Sequence, residues 1–135
     1  MNASLKNLGA LTLFVEDLPR SKSFYRDVFD LKMIYEDESS TAFDFGNTII
    51  NLLENREARD LIEPGTVAGR EAGSRFLLSI WVDDADAVCA DLRSRGVALL
   101  NGPLNREWGK RTASFTDPDG HLWEIAQDLP QGDNS

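Results

Sequence analysis

The sequence predicts an α+β fold built from two related halves, and three observations carry that prediction. Each half reads as a strand, a helix and three further strands. The halves match at a constant offset: Ala10-Leu-Thr-Leu-Phe-Val-Glu-Asp17 lies over Leu77-Leu-Ser-Ile-Trp-Val-Asp-Asp84, 67 residues further on. They also end alike, Ile49–Leu53 lying over Leu122–Ala126, which makes Asn51 the counterpart of Glu124. Four strands in one half cannot easily cover both faces of their own sheet. Two halves sharing one curved sheet, with helices outside and a cleft inside, is therefore the economical arrangement.

In chain order, residues 1–6 read as frayed, and Leu8–Val15 is an apolar run of strand length. Asp17 can cap a helix and Pro19 is acceptable in its first turn. Leu18, Ser21, Phe24, Tyr25, Val28 and Phe29 recur at helical spacing, with Tyr25 expected in the core between helix and sheet. Strand-like runs come next at Leu31–Tyr35, Thr41–Phe45 and Thr48–Leu53, separated by Glu36-Asp37-Glu38 and by Gly46-Asn47. Between Glu54 and Gly73, charge, Pro64 and several glycines without sustained periodicity predict a linker or flap. Arg75–Val82 is the next strand, and Asp83-Asp84 caps a helix with Ala85, Val88, Cys89 and Leu92 on one stripe, stopped by Gly96. Val97–Leu100, Lys110–Thr116 and His121–Gln127 supply three more strands, and Pro130–Ser135 reads as a disordered tail. The organisation is one domain over residues 1–135: module one about 8–54, linker 55–73, module two about 74–128, tail 129–135.

Composition narrows the function classes. The chain is 41% hydrophobic and carries 14 basic against 23 acidic residues, a net charge of −9. Long-range repulsion then disfavours nucleic acid and anionic membrane as partners, and would steer a cation inward. No stretch approaches the roughly 20 apolar residues of a membrane span, and no basic segment leads into an apolar run at the N-terminus, so a cytoplasmic location is expected. A single cysteine permits no internal disulfide, and Cys89 falls on the apolar stripe of its helix as a small core residue.

The chain organises itself around Phe115–Gln127. Asp117-Pro118-Asp119-Gly120 has turn chemistry at every position and sets the register of the last strand. With period two, Leu122, Glu124 and Ala126 share one face, while His121, Trp123 and Ile125 share the other. A carboxylate among Leu and Ala has three readings: paired or solvated, protonated by burial and so able to act as general acid or base, or ionised against a cationic ligand. Asp117 and Asp119 lack the companion oxygens of a calcium loop. There is one histidine, no Gly-x-Ser-x-Gly elbow and no phosphate-cradling glycine loop, and Phe43-Asp-Phe-Gly46 stands without its kinase companions.

Taken as a set, Val15-Glu-Asp-Leu18 with Ser21 and Phe24-Tyr25, Val82-Asp-Asp84, Arg95-Gly-Val97, Gly102-Pro103, Trp108-Gly109 with Arg111, and Asp117-Pro-Asp-Gly120 with Glu124 resemble the vicinal oxygen chelate superfamily of glyoxalase I, bleomycin-resistance proteins and extradiol dioxygenases. The resemblance covers nearly the whole chain. It implies two tandem βαβββ modules forming a curved eight-stranded open barrel around a cleft, usually in a homodimer. It also implies a divalent metal held by the first and last strands of each module, at positions that fall here on Ala10, Asn51, Leu77 and Glu124. Only Glu124 is a strong ligand, Asn51 offers a neutral amide, and Ala10 and Leu77 offer nothing, so a nickel, zinc or iron site cannot be built from this set. The expected metal ligands and cofactors are none.

What remains is a binding surface. Ala10, Thr12 and Phe14 share a face of the first strand, and Leu77, Ser79 and Trp81 share the equivalent face of the fifth. Apolar and aromatic groups with a few hydroxyls suit a flat organic ligand. Plain core packing is the competing explanation of Phe14 and Trp81. Trp108 sits in a Gly-containing loop beside Arg106, Lys110 and Arg111, which would meet a carboxylate or phosphate. The candidate ligand-binding residues are Phe14, Asn51, Ser79, Trp81, Trp108, Arg111 and Glu124, with Glu124 the one catalytic candidate. The expected function is metal-free binding of a small aromatic or cationic molecule in the cleft between modules, in the manner of antibiotic-sequestering bleomycin-resistance proteins. The alternative is a lyase, isomerase or dioxygenase using Glu124 with an atypical or weak divalent metal, or with none. Loss of the histidine-type positions weighs against an enzyme.

Overall fold

The structure is a computed structural model in which residues 5–130 are described. The tail predicted beyond Pro130, and the first four of the six residues predicted to fray, lie outside the described residues. The chain divides into two compact units, Met1–Gly69 and Arg70–Ser135.

The first unit runs β1 (Leu11–Val15), α1 (Leu18–Asp27), β2 (Lys32–Glu36), β3 (Ser40–Asp44), β4 (Ile49–Glu54) and α2 (Asn55–Ile62). Its four strands form one sheet in the order β1-β4-β3-β2, with β1 parallel to β4 and the other pairs antiparallel. The Asp17 side chain accepts from the Arg20 N–H at 3.1 Å and Pro19 stands in the first turn, as the sequence predicts. The helix buries Leu18, Ser21 and Tyr25. Tyr25 is fully buried, its ring 5.0 Å from Phe29 and 6.3 Å from Phe43 of β3. Each such aromatic pair contributes about 0.5–1.5 kcal/mol beyond its buried area. Leu13, Val15, Ile50, Leu52, Thr41 and Phe43 complete the core of this unit.

The second unit repeats the plan with β5 (Leu78–Trp81), α3 (Ala85–Ser94), β6 (Asn101–Asn105), β7 (Lys110–Thr116) and β8 (Leu122–Asp128), preceded by a single 3-10 turn at Arg70–Ala72. The sheet order is β5-β8-β7-β6, and the parallel pair again joins the first strand to the last. Asp84 caps α3 through the Ala87 N–H at 3.0 Å, the structural counterpart of Asp17. Cys89 is fully buried, and burial pushes its thiol pKa up. At the Asp117 turn, one carboxylate oxygen accepts from the N–H groups of Asp119 and His121, both at 2.9 Å. Turn chemistry therefore accounts for this aspartate.

Two elements depart from the sequence prediction. The segment after Glu54 begins with helix α2, whose Ala58 is fully buried. Its apolar positions, Ala58, Leu61 and Ile62, stand at helical spacing but span little more than one turn, and Leu61 stays exposed, so the signal is short against the surrounding charge. The strand predicted at Val97–Leu100 lies instead at Asn101–Asn105. Val97 is buried just after the helix, and the apolar run serves as the return to the sheet. Strand β6 tolerates Pro103 because it is an edge strand and its register with β7 shifts between Asn101 and Leu104. Gly102 has a φ of 86°, and a Cβ there would stand 2.3 Å from the Thr112 carbonyl oxygen.

Candidate functional site on the second sheet

Side chains along β5, β7 and β8 alternate between two faces. One face carries the buried Trp123, Ile125, Ala113 and Phe115 and packs on α3. The other is the open face. Across it, register aligns Ser79 with Glu124, Glu124 with Ser114, and Ser114 with Asn101, a polar row spanning all four strands. A second row aligns Trp81 with Ala126, Ala126 with Thr112, and Thr112 with Leu104.

Glu124 is half-buried, and its carboxylate accepts from the Ser79 hydroxyl at 2.6 Å. It has no basic partner among the described residues. The acid is therefore held toward β5 by a neutral donor. Next to it, Trp81 is 71% exposed, and the Lys110 ammonium sits 5.0 Å from its ring centroid while pairing with Asp128. Trp108, in the hairpin between β6 and β7, is 68% exposed, with the Arg106 guanidinium 5.9 Å from its ring centroid. Arg106 donates to the Thr112 hydroxyl at 2.9 Å and to the Asn101 side-chain amide oxygen at 3.3 Å. Asn101 also accepts from Ser114 at 3.4 Å. A shallow recess of about 200 Å³ at the ends of β5 and β8 is lined by Trp81, Val82, Asp83, Ala126, Gln127 and Asp128. That is below the roughly 300 Å³ of a typical small-molecule pocket, so it holds part of a ligand at most.

Ser79, Trp81, Trp108 and Glu124 thus belong to one surface of the second unit. Arg111 does not join them: it projects from the opposite face of β7, where it pairs with Asp86 at 2.9 Å and donates to Asn105. Strand alternation separates Arg111 from Lys110 and Thr112, and that signal was available in the sequence. Asn101 and Ser114 are the members that sequence reasoning misses, and Arg106, noted there beside Trp108 as a possible anion contact, takes the place given to Arg111. Their convergence depends on the shifted register of β6, which no local pattern announces. His121 stacks on Phe76 at 6.1 Å, away from Glu124.

Phe14 and Asn51 lie in the first unit. Asn51 pairs in register with Thr12 and its amide approaches the Thr12 hydroxyl at 3.4 Å, the equivalent of the Glu124–Ser79 contact. Phe14 is half-buried opposite Leu53.

The divalent metal that the resemblance implies does not fit these residues. In the first unit Ala10 carries no donor and Asn51 offers an amide turned to Thr12. In the second, Leu77 carries no donor and Glu124 is held by Ser79. Among the described residues no group of three or more His, Cys, Asp or Glu side chains gathers to hold an ion.

Comparison with known proteins agrees with this architecture. The uncharacterized protein YraH of Bacillus subtilis is 39% identical over 120 residues, covering 85% of this chain and 93% of that one. The metallothiol transferase FosB of Lysinibacillus sphaericus is 28% identical over 123 residues, covering 90% of this chain and 82% of FosB. The crystal structure of a glyoxalase/bleomycin resistance protein/dioxygenase from Nocardioides shares the fold, with a TM-score of 0.87 at 22% identity, covering 97% of this chain and 89% of that one. Residues 7–125 match the Glyoxalase/Bleomycin resistance protein/Dioxygenase superfamily, and the chain belongs to it.

Proposed function

We propose that this protein binds a small organic molecule with a flat aromatic part, against the open face of its second sheet and without a transition metal. One observation carries the proposal: Trp81 and Trp108 are 71% and 68% exposed on a face whose other members are hydroxyls, an amide, two carboxylates and two cations. Large aromatic rings so exposed beside convergent polar groups are the ingredients of a ligand surface. The family's metal chemistry is not supported, because Ala10 and Leu77 supply no ligand.

Metal content of untagged protein, followed by thermal shift with nickel, zinc, manganese and iron(II), tests the metal-free part. The expected result is no stoichiometric metal and no saturable stabilisation. Stoichiometric metal, or a stabilisation lost in Glu124→Ala, would overturn it.

The similarity to a metallothiol transferase favours a second reading, an enzyme in which Glu124 transfers a proton. Turnover that is lost in Glu124→Gln while ligand binding is retained would establish it. Sequestration without turnover would suit an antibiotic-resistance role, with the chain acting as a cytoplasmic homodimer. Sedimentation of the purified protein checks the dimer. No described helix is long and apolar enough to cross a membrane.

A further inference from the structure

Four of the basic side chains are half-buried: Lys22, Arg106, Lys110 and Arg111. Three of them have a carboxylate partner, Lys22 with Glu36, Lys110 with Asp128 and Arg111 with Asp86. Arg106 does not. Its two hydrogen-bond acceptors, Thr112 and Asn101, are both neutral. Partial desolvation of a guanidinium without a counter-charge is costly, and a chain with 23 acidic residues had carboxylates to spare. Of the five N–H donors of a guanidinium, these two bonds leave three for another acceptor.

The aromatic groups point the same way. One face of Trp108 already lies under Arg106, and one face of Trp81 under Lys110. A cationic ligand stacking on either ring would displace that ring's own cation or sit within about one Debye length, about 10 Å, of it. Of the two acids of this face, Asp128 is paired with Lys110 and Glu124 is held toward β5 by Ser79, whereas Arg106 lies at the β6 edge. With the Lys110–Asp128 pair neutral, the face is polarised, its unpaired acid on the β5 side and its unpaired base on the β6 side.

We infer that the ligand is an aromatic oxyanion, with its ring against Trp81 and Trp108 and its carboxylate-like group on Arg106 at the β6–β7 hairpin. This rests on the binding function proposed above and narrows it to one chemical class. It also reverses the charge preference expected from the net charge of the whole chain, because direct contact with a partly desolvated guanidinium outweighs a screened long-range field.

Three probes with one ring system decide it: naphthalene carboxylate, naphthalene methanol and naphthylmethyl trimethylammonium, titrated calorimetrically into the full chain. The carboxylate should bind roughly tenfold or more tightly than the alcohol, the size of one charge-assisted hydrogen bond, and the ammonium should bind most weakly. Added salt should weaken the carboxylate most. In Arg106→Gln the carboxylate should fall to the level of the alcohol in the same variant, and Arg106→Lys should keep part of the preference. If all three bind and the ammonium matches or exceeds the carboxylate, the anion assignment fails while the binding function stands. If none binds at millimolar concentration, the binding function itself fails. A carboxylate preference untouched by Arg106→Gln would overturn the role of Arg106. The wild-type ranking needs no variant, so it decides the ligand class even if Arg106→Gln does not fold.

Discussion

Replacing Gly102 by alanine probes how the ligand-facing edge of the second sheet is held. At a φ of 86° any residue with a Cβ pays about 1–2 kcal/mol for the left-handed backbone. The new methyl would also stand 2.3 Å from the Thr112 carbonyl oxygen and 2.8 Å from the Ala113 Cα. Both obstacles are backbone of β7, so neither can swing aside as a flexible side chain would. Forced overpacking of this kind costs about 1–3 kcal/mol. Together the two terms come to about 2–5 kcal/mol, and at about 4 °C per kcal/mol for a chain of this size the melting temperature should fall by roughly 8–20 °C. Gly120→Ala is the internal control, because its φ is 88° but nothing lies within 4 Å of the added methyl. It should show the backbone term alone. Thermal unfolding of the two variants, followed by tryptophan fluorescence, gives the steric term as their difference. Equal losses in the two variants would refute the reasoning, since β6 would then be free to move off β7 at no cost. The same strand carries Asn101 and leads into the Arg106 hairpin, so Gly102→Ala should also weaken ligand binding.

Thr41 is fully buried in the first unit and its hydroxyl has no hydrogen-bond partner. Thr41→Val keeps the shape and removes the unsatisfied group, so the urea midpoint should rise by the equivalent of about 1 kcal/mol; a lower midpoint would show that the hydroxyl is satisfied after all. Asp37 accepts from the Tyr35 hydroxyl, from the Ser39 and Ser40 N–H groups and from the Ser40 hydroxyl, and these bonds hold its pKa down at about 2. A depressed folded-state pKa contributes stability above the unfolded value of 3.8 that is lost as the pH falls toward about 2. Acid titration of Asp37→Asn should therefore show a flatter loss of stability in that window than wild type, and identical curves would dismiss the contribution.

Much of this was legible in the residues, for identifiable reasons. Caps at Asp17 and Asp84, the Asp117 turn, and the burial of Tyr25 and Cys89 depend on local chemistry and periodicity, which a sequence displays directly. The pairing of Ser79 with Glu124 is legible at one remove, because the repeat places them at the positions occupied by Thr12 and Asn51. Helix α2 is hard to read because its apolar stripe, Ala58, Leu61 and Ile62, is barely one turn long and is set among charged residues. Strand β6 was hidden because the apolar run at Val97–Leu100 outweighed a Gly-Pro pair that only an edge strand with a register shift can accommodate. Arg111 was grouped with Trp108 by nearness in sequence, although alternation along β7 puts it on the other face. The loss of its guanidinium from the site and the entry of that of Arg106 both trace to one strand parity and one bulge.

In both units the strand laid down first is hydrogen-bonded to the strand laid down last. During synthesis β5 therefore waits, with no neighbour of its own, until β8 has left the ribosome, and the Ser79–Glu124 contact can form only then. A premature stop or a proteolytic cut upstream of Leu122 would remove an interior strand of the sheet, leaving β5 stranded and β7 with a bare edge. Shortened chains would thus not be weaker versions of the protein. They would expose unpaired strand edges, and the cell would meet them as substrates for chaperones and proteases.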